Sequence, residues 1–155
     1  MDFLSGSYNA QHDRKQFFKS CFLFWVLGAI DGHAKNFSIF IKSGGRFELT
    51  PFYDVMSAYP LANNRQLEWR KLKMAMSVKG KHKHYRWHDI KLRHWATTAA
   101  AAKLAPSIFE EIKNEVLDNI ETAIDNVTLK LPTTFPASIA DSIFDGMRKI
   151  KSRCV

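Results

Sequence analysis

FWVLGAIDGHAKNFSIFIKSGGRFELTPFYDVMSAYPL, residues 24–61, decides how this chain folds. It opens as the end of an apolar run and passes into the polar stretch Asp31-Gly32-His33-Ala34-Lys35-Asn36. Phe37-Ser38-Ile39-Phe40-Ile41 and Arg46-Phe47-Glu48-Leu49-Thr50 then flank Lys42-Ser43-Gly44-Gly45. Glycine at turn positions takes positive φ at little cost, so this segment is predicted to be a β-hairpin. Pro51 has no amide donor and ends the pairing, leaving Asp54 at the exit. A hairpin returns the chain to its starting point, which should bring Asp31 and Asp54 together near its open end.

Working outward, Phe17, Phe18, Cys21, Phe22, Phe24, Trp25 and Leu27 occupy most of the circumference of a helix from about Asp13 to Ala29. Such a helix is buried on more than one side and runs directly into the Asp31 loop. Downstream, Leu72-Lys73-Met74-Ala75-Met76 reads as a short strand and Lys79 to His84 (KGKHKH) as a charged loop. Helices are predicted from Trp87 to Lys103, from Pro106 to Leu129 and from Pro136 to Lys151. In the second of these, Ile108, Ile112, Val116, Ile120, Ala123 and Val127 recur at helical steps. The fold class is therefore mainly α with a small β-hairpin (α+β). One domain is expected over residues 1–155, with a loop-and-hairpin unit at about 28–57 and a helical remainder at about 86–151.

Composition sets the bounds. In 155 residues, 46% apolar content with 12 Phe and 4 Trp is ample for a buried core. A formal charge of +8 favours an anionic partner without choosing among nucleotide phosphates, nucleic acid and an acidic protein face. The longest apolar run, Cys21 to Ile30, is about half the ~20 residues of a membrane span. Met1 to Gln16 is too polar for a secretory signal, so no membrane partner and a cytoplasmic location are expected. Cys21 and Cys154 lack the spacing of a zinc site or disulfide framework and are expected to be free thiols.

An Asp and an Asn five positions apart, with a second Asp beyond a hairpin, is how protein kinases place a base and two Mg²⁺ ligands beside ATP. Asn36 and Asp54 offer the hard oxygens that Mg²⁺ prefers. Asp31 is placed to accept the proton of an attacking hydroxyl, and Lys35 to offset developing negative charge. Each residue alone is an ordinary turn former; only their combination points to phosphoryl transfer.

His33 has no second histidine near it and is read as positioning the loop. His82, His84, His88 and His94 form a denser set, with His84 and His88 on one face if that segment is helical, but no Cys or acidic cluster completes a zinc site. Lys79, Lys81, Lys83, Arg86, Lys91 and Arg93 are interleaved with Tyr85, Trp87 and Trp95. Either they contact nucleic-acid phosphates, or they form a solvated face whose aromatics anchor the core.

Residues 24–61 closely resemble the catalytic segment of HipA-family serine/threonine kinases, the toxin members of HipBA-type toxin–antitoxin modules. The resemblance continues through LKMAM to about Lys151 and covers only the later part of that family's fold. It implies a kinase-like C-terminal lobe with Asp31 at the catalytic position and Asn36 and Asp54 at the Mg²⁺-ligand positions. Lys35 and His33 would border the ATP site. By the same resemblance, the γ-phosphate of ATP passes to a Ser or Thr of a protein substrate such as an aminoacyl-tRNA synthetase. A helix-turn-helix, HipB-like antitoxin would neutralise the protein and carry it to operator DNA.

The chain departs from a whole kinase in having seven Gly and no G-x-G-x-x-G, while Lys15, Lys19 and Lys35 lie too close to the loop to act as a small-lobe lysine. A separately encoded small lobe is therefore expected, or a chain that is a fragment, with apolar surface near Phe37, Phe52 and Tyr53 left open. The alternative is a non-catalytic module that docks the antitoxin and operator DNA.

Overall fold

Helix α1 (Ala10–Val26) organises the computed structural model, which describes residues 1–154; the last position of the expected 1–155 domain lies outside them. The helix buries Phe18, Phe22, Phe24, Trp25 and Val26. Around it, Phe22 meets Trp95 and Phe109 edge-on at centroid distances of 5.3 and 6.4 Å, and Phe18 meets the same two rings at 5.8 and 6.2 Å. Aromatic pairs favour such perpendicular contacts because the positive ring edge faces the negative ring face. Trp25 and Trp87 satisfy each other, the Trp87 indole donating to the Trp25 carbonyl at 2.9 Å and the Trp25 indole to the Trp87 carbonyl at 3.4 Å.

The helix ends before the predicted Ala29. Gly28 adopts φ 62, the Gly28 amide donates to the Trp25 carbonyl at 3.2 Å, and the Ala29 amide donates to the Phe24 carbonyl at 2.8 Å. These paired bonds make a Schellman stop, which requires a left-handed residue and so favours glycine.

Two antiparallel two-stranded sheets accompany the helices. The predicted hairpin pairs β1 (Ile39–Ile41) with β2 (Phe47–Leu49), Ile39 opposite Leu49 and Ile41 opposite Phe47. Its tip turns through Gly44 and Gly45 at φ 75 and 73. A second hairpin corrects the prediction of a lone strand and charged loop. β3 (Lys73–Lys79) pairs with β4 (Lys83–Arg86), and KGKHKH forms its turn and flanks, with Lys79 opposite Lys83. β3 turns Met74 and Val78 into the core.

The helical remainder is also more divided than its periodicity predicts. Trp87–Asp89 is a single 3-10 turn followed by extended Ile90, so the third helix, α3 (Leu92–Ala101), starts later than expected. The Pro106–Leu129 helix is two, α4 (Pro106–Asp118) and α5 (Ile120–Thr128). They meet at Asn119, whose side-chain amide donates to the Glu115 carbonyl at 2.8 Å. The short α2 (Tyr59–Asn63) packs on α6 (Ala137–Cys154), where Gly146 leaves room for the Tyr59 ring. No helix among the described residues is long and apolar enough to cross a membrane. Both cysteines are free, and burial pushes the Cys21 thiol up to about 12, far from its reactive thiolate.

Candidate functional site

The Asp31 loop emerges between two strapped segments. The last carbonyls of α1 lack intrahelical donors, as at any helix end. Here the residues after Asp54 supply them: Tyr59 Oη donates to the Val26 carbonyl at 2.9 Å, Ser57 Oγ to that of Leu27 at 2.6 Å, and the Ala58 amide to that of Gly28 at 2.9 Å. On the other side, the Ala75 amide of β3 donates to the Ile30 carbonyl at 2.8 Å. Gly32 then passes so close to the Phe24 ring that an added Cβ would lie far inside contact distance. The glycine of the D-G-H-A-K-N run is therefore dictated by packing.

Beyond Gly32 the loop closes tightly. The His33 amide donates to the Asp31 carbonyl at 2.8 Å and the Asn36 amide to the His33 carbonyl at 3.0 Å. A 3-10 turn over Ala34–Asn36 drives Asn36 inward to 3% exposure. Its Nδ2 donates to Asp54 Oδ2 at 2.6 Å, joining residues that are 18 positions apart. This bond fixes the amide orientation and leaves Asn36 Oδ1 buried with no hydrogen-bond partner. Tyr53 adds further links, its Oη lying 2.7 Å from Ser38 Oγ and donating to the Lys35 carbonyl at 3.4 Å. Asp54 itself has φ 57, the left-handed region that non-glycine residues seldom enter and that clusters at functional positions.

Asp31 and Asp54 line one small cleft with Phe24, Ala29, Gly32 and Met56. Asp31, Lys35 and Asp54 are solvent-exposed, whereas His33 is half-buried with an unpaired Nδ1. A buried, unpaired oxygen costs about 1–3 kcal/mol. A hard cation would satisfy Asn36 Oδ1, so this donor set, an amide oxygen beside a carboxylate, fits Mg²⁺.

Sequence reasoning missed the support beneath the hairpin. Asp13, in the first turn of α1, is only 3% exposed and accepts from Ser7 Oγ and, at 2.8 Å, from the Leu49 amide of β2. The Tyr8 amide donates to the Phe47 carbonyl at 2.8 Å. These bonds hold β2, and with it the path to Asp54, against α1. Acidic residues are routine in a first helical turn, so nothing in the pattern marked this one as buried.

Phe37 is not part of an open apolar surface as expected. It is half-buried between Phe17 and Phe24, at centroid distances of 4.5 and 5.9 Å, because Asn36 turns inward beside it. Phe52 and Tyr53 are exposed at 45% and 44%, and Phe40, Ile41 and Met56 at 52%, 78% and 70%.

Lys79, Lys81, Lys83 and Arg86 lie exposed on the second hairpin, with Arg86 opposite Lys73. Trp87 and Trp95 belong to the core, and of the interleaved aromatics Tyr85 alone is exposed, at 42%. His84 and His88 do not share a helical face, since one lies in β4 and the other in the 3-10 turn. His84 instead stacks on His94, centroids 3.8 Å apart and planes 9° from parallel. Burial first, then the charges of His84, Arg93 and Lys91, hold the His94 imidazole below its ordinary pKa. Its Nδ1 accepts the Lys91 amide at 3.2 Å, a bond that the neutral ring makes.

Residues 1–124 match the family model described as the HipA-like C-terminal domain. The fold is also similar to a chain of the Shewanella oneidensis MR-1 toxin–antitoxin complex of HipA, HipB and operator DNA. The TM-score is 0.77 at 20% identity, with 99% of this chain and 33% of that chain covered. This chain thus spans about one third of the length of that one.

Proposed function

The chain belongs to the family of HipA-like C-terminal domains, and from that premise we propose that it is the catalytic-lobe portion of an ATP-dependent protein serine/threonine kinase in a toxin–antitoxin module. The observation that carries this reading is the clasp between Asn36 and Asp54, with Asn36 Oδ1 left unpaired and Asp31 on the same cleft. In this role Asn36 Oδ1 and the Asp54 carboxylate hold Mg²⁺, which neutralises phosphate charge when bound.

Asp31 orients the acceptor hydroxyl and takes its proton as the oxygen bonds to the γ-phosphorus of ATP. The bond to the β,γ-bridging oxygen breaks and ADP leaves. Lys35, exposed at the edge of the loop, offsets charge on the transferring group. The exposed apolar side chains Phe52, Tyr53 and Met56, with Phe40 and Ile41 of β1, are available to a small lobe that would close over the nucleotide.

The test is Mg-ATP binding and protein phosphorylation, by the chain alone and with a small-lobe partner added. Asp31→Asn should lower the phosphorylation rate by at least ~10²-fold while leaving nucleotide affinity within about threefold. Asp54→Asn should lower both. Full activity in either variant would refute the assigned roles.

A second reading is a non-catalytic module that docks a helix-turn-helix antitoxin and operator DNA. The exposed lysines of the second hairpin favour it. It requires co-purification with such a partner and a salt-dependent DNA affinity that falls when Lys81, Lys83 and Arg86 are replaced. A DNA affinity indifferent to those replacements would exclude this hairpin as the contact.

A further inference from the structure

A cavity of about 930 Å³, separate from the Asp31 cleft, opens between α6 and the segment that links β4 to α3. Its size suits a ligand of several hundred daltons. Tyr59, Trp69 and Trp87 line it and pack together at centroid distances of 5.4 to 5.7 Å, two pairs tilted and Tyr59 edge-on to Trp87. Tyr59 and Trp87 are buried, and Trp69 is the half-buried ring of the three.

Lys91, Arg93, Lys149 and Arg153 also line the cavity. Among the described residues none of these has a carboxylate within 4.0 Å, although six other lysines and arginines do. Asp89 is the one acidic residue in the lining. Arg153 is held in place, donating to the carbonyls of His88 and Ile90 at 2.9 and 3.2 Å with its guanidinium 5.7 Å from the Trp87 ring. A neighbouring recess lined by Lys73, Lys83 and Arg86 shares His84 and Asp89 with the cavity, extending the positive lining beyond it.

We propose that this cleft binds a nucleoside di- or triphosphate, independently of the Asp31 site. The aromatic wall takes the base by stacking, and the uncompensated cations take the phosphates. An inorganic anion would leave the aromatic side of the cleft without a function, and a purely apolar guest would leave its exposed cations without a counter-charge.

The experiment titrates the full chain with ADP and GDP in EDTA, which removes Mg²⁺, following tryptophan fluorescence and heat. Saturable binding is expected, at least tenfold tighter than that of pyrophosphate. It should weaken at least tenfold in the Arg93→Ala/Lys149→Ala double variant, which removes exposed side chains and should keep its melting temperature. Asp54→Asn, which should weaken nucleotide binding at the proposed catalytic site, should leave it unchanged, separating the two sites. The proposal is overturned by absence of saturable binding, by equal affinity in the double variant, or by pyrophosphate binding as tightly as ADP. It is also overturned if a single-stranded oligonucleotide binds tenfold more tightly than either nucleotide, which would assign the cleft to a strand.

Discussion

The two hairpins are both two-stranded and antiparallel but bury their apolar side chains to different extents. In β3 the core-facing positions Met74 and Val78 are 5% and 1% exposed, and the strand is tied by the Ala75 amide to the end of α1. In β1, Phe40 and Ile41 stand 52% and 78% exposed on a strand that only β2 pairs. A two-stranded ribbon alone is marginal in water and needs a packed face. The second hairpin has that face within this chain. The first is attached through Asp13, Ser7, the Tyr8 amide and the stacked rings of Phe3 and Phe47, 4.7 Å apart, and leaves Phe40 and Ile41, on opposite faces of the strand, exposed. The hairpin that carries the candidate chemistry is thus the less self-sufficient of the two.

Truncation should separate them most sharply. Met74→Ala is expected to cost about 2–5 kcal/mol by emptying a packed site, whereas Ile41→Ala should stay within about 0.5 kcal/mol. Urea unfolding of both variants checks this, and equal losses would break the contrast. Adding a small-lobe partner should stabilise the first hairpin, and Ile41→Asp should abolish that gain.

The next largest effect is expected at Asp13. Asp13→Ala leaves the Leu49 amide and Ser7 hydroxyl without their acceptor, at a cost of about 1–3 kcal/mol. The loss should be local as well as global: amide exchange should accelerate in β2 while β3 stays protected. Uniform acceleration would mean that the two hairpins unfold as one.

A smaller, pH-dependent effect is expected at His94 of α3, which stacks on His84 of the second hairpin. Because burial holds the His94 imidazole below its ordinary value of 6.5, the unfolded chain binds its proton first. Stability should therefore be full above about pH 6.5 and decline as pH falls through the depressed folded value. Unfolding midpoints between about pH 8 and pH 5 should show this slope, and His94→Gln should flatten it. A slope of the opposite sign would mean that the stacked pair prefers the charged ring.

Much of the first hairpin could be read from residues 37–50 because the glycine pair marks the tip and Pro51 marks the end. The second was concealed by its own turn, where the charges of KGKHKH mimic a solvated loop although Lys73 to Lys79 alternates as a strand. The break at Asn119 was invisible for a related reason: Ile112, Val116 and Ile120 keep helical phase across it. At the candidate site, spacing alone selected Asp31, Asn36 and Asp54. The direct bond from Asn36 to Asp54, and the burial of Asp13, depend on how the hairpin closes on α1, and no local pattern encodes that closure.

The left-handed backbone of Asp54 has a consequence for mutational scans of this region. At φ 57, alanine would pay a conformational penalty of roughly 1–2 kcal/mol on top of losing its carboxylate, so a dead alanine variant would report geometry and charge together. Asparagine tolerates the same torsion and is nearly isosteric, and glycine tolerates it with no side chain. Substituting all three at this position separates the torsional requirement from the electrostatic one.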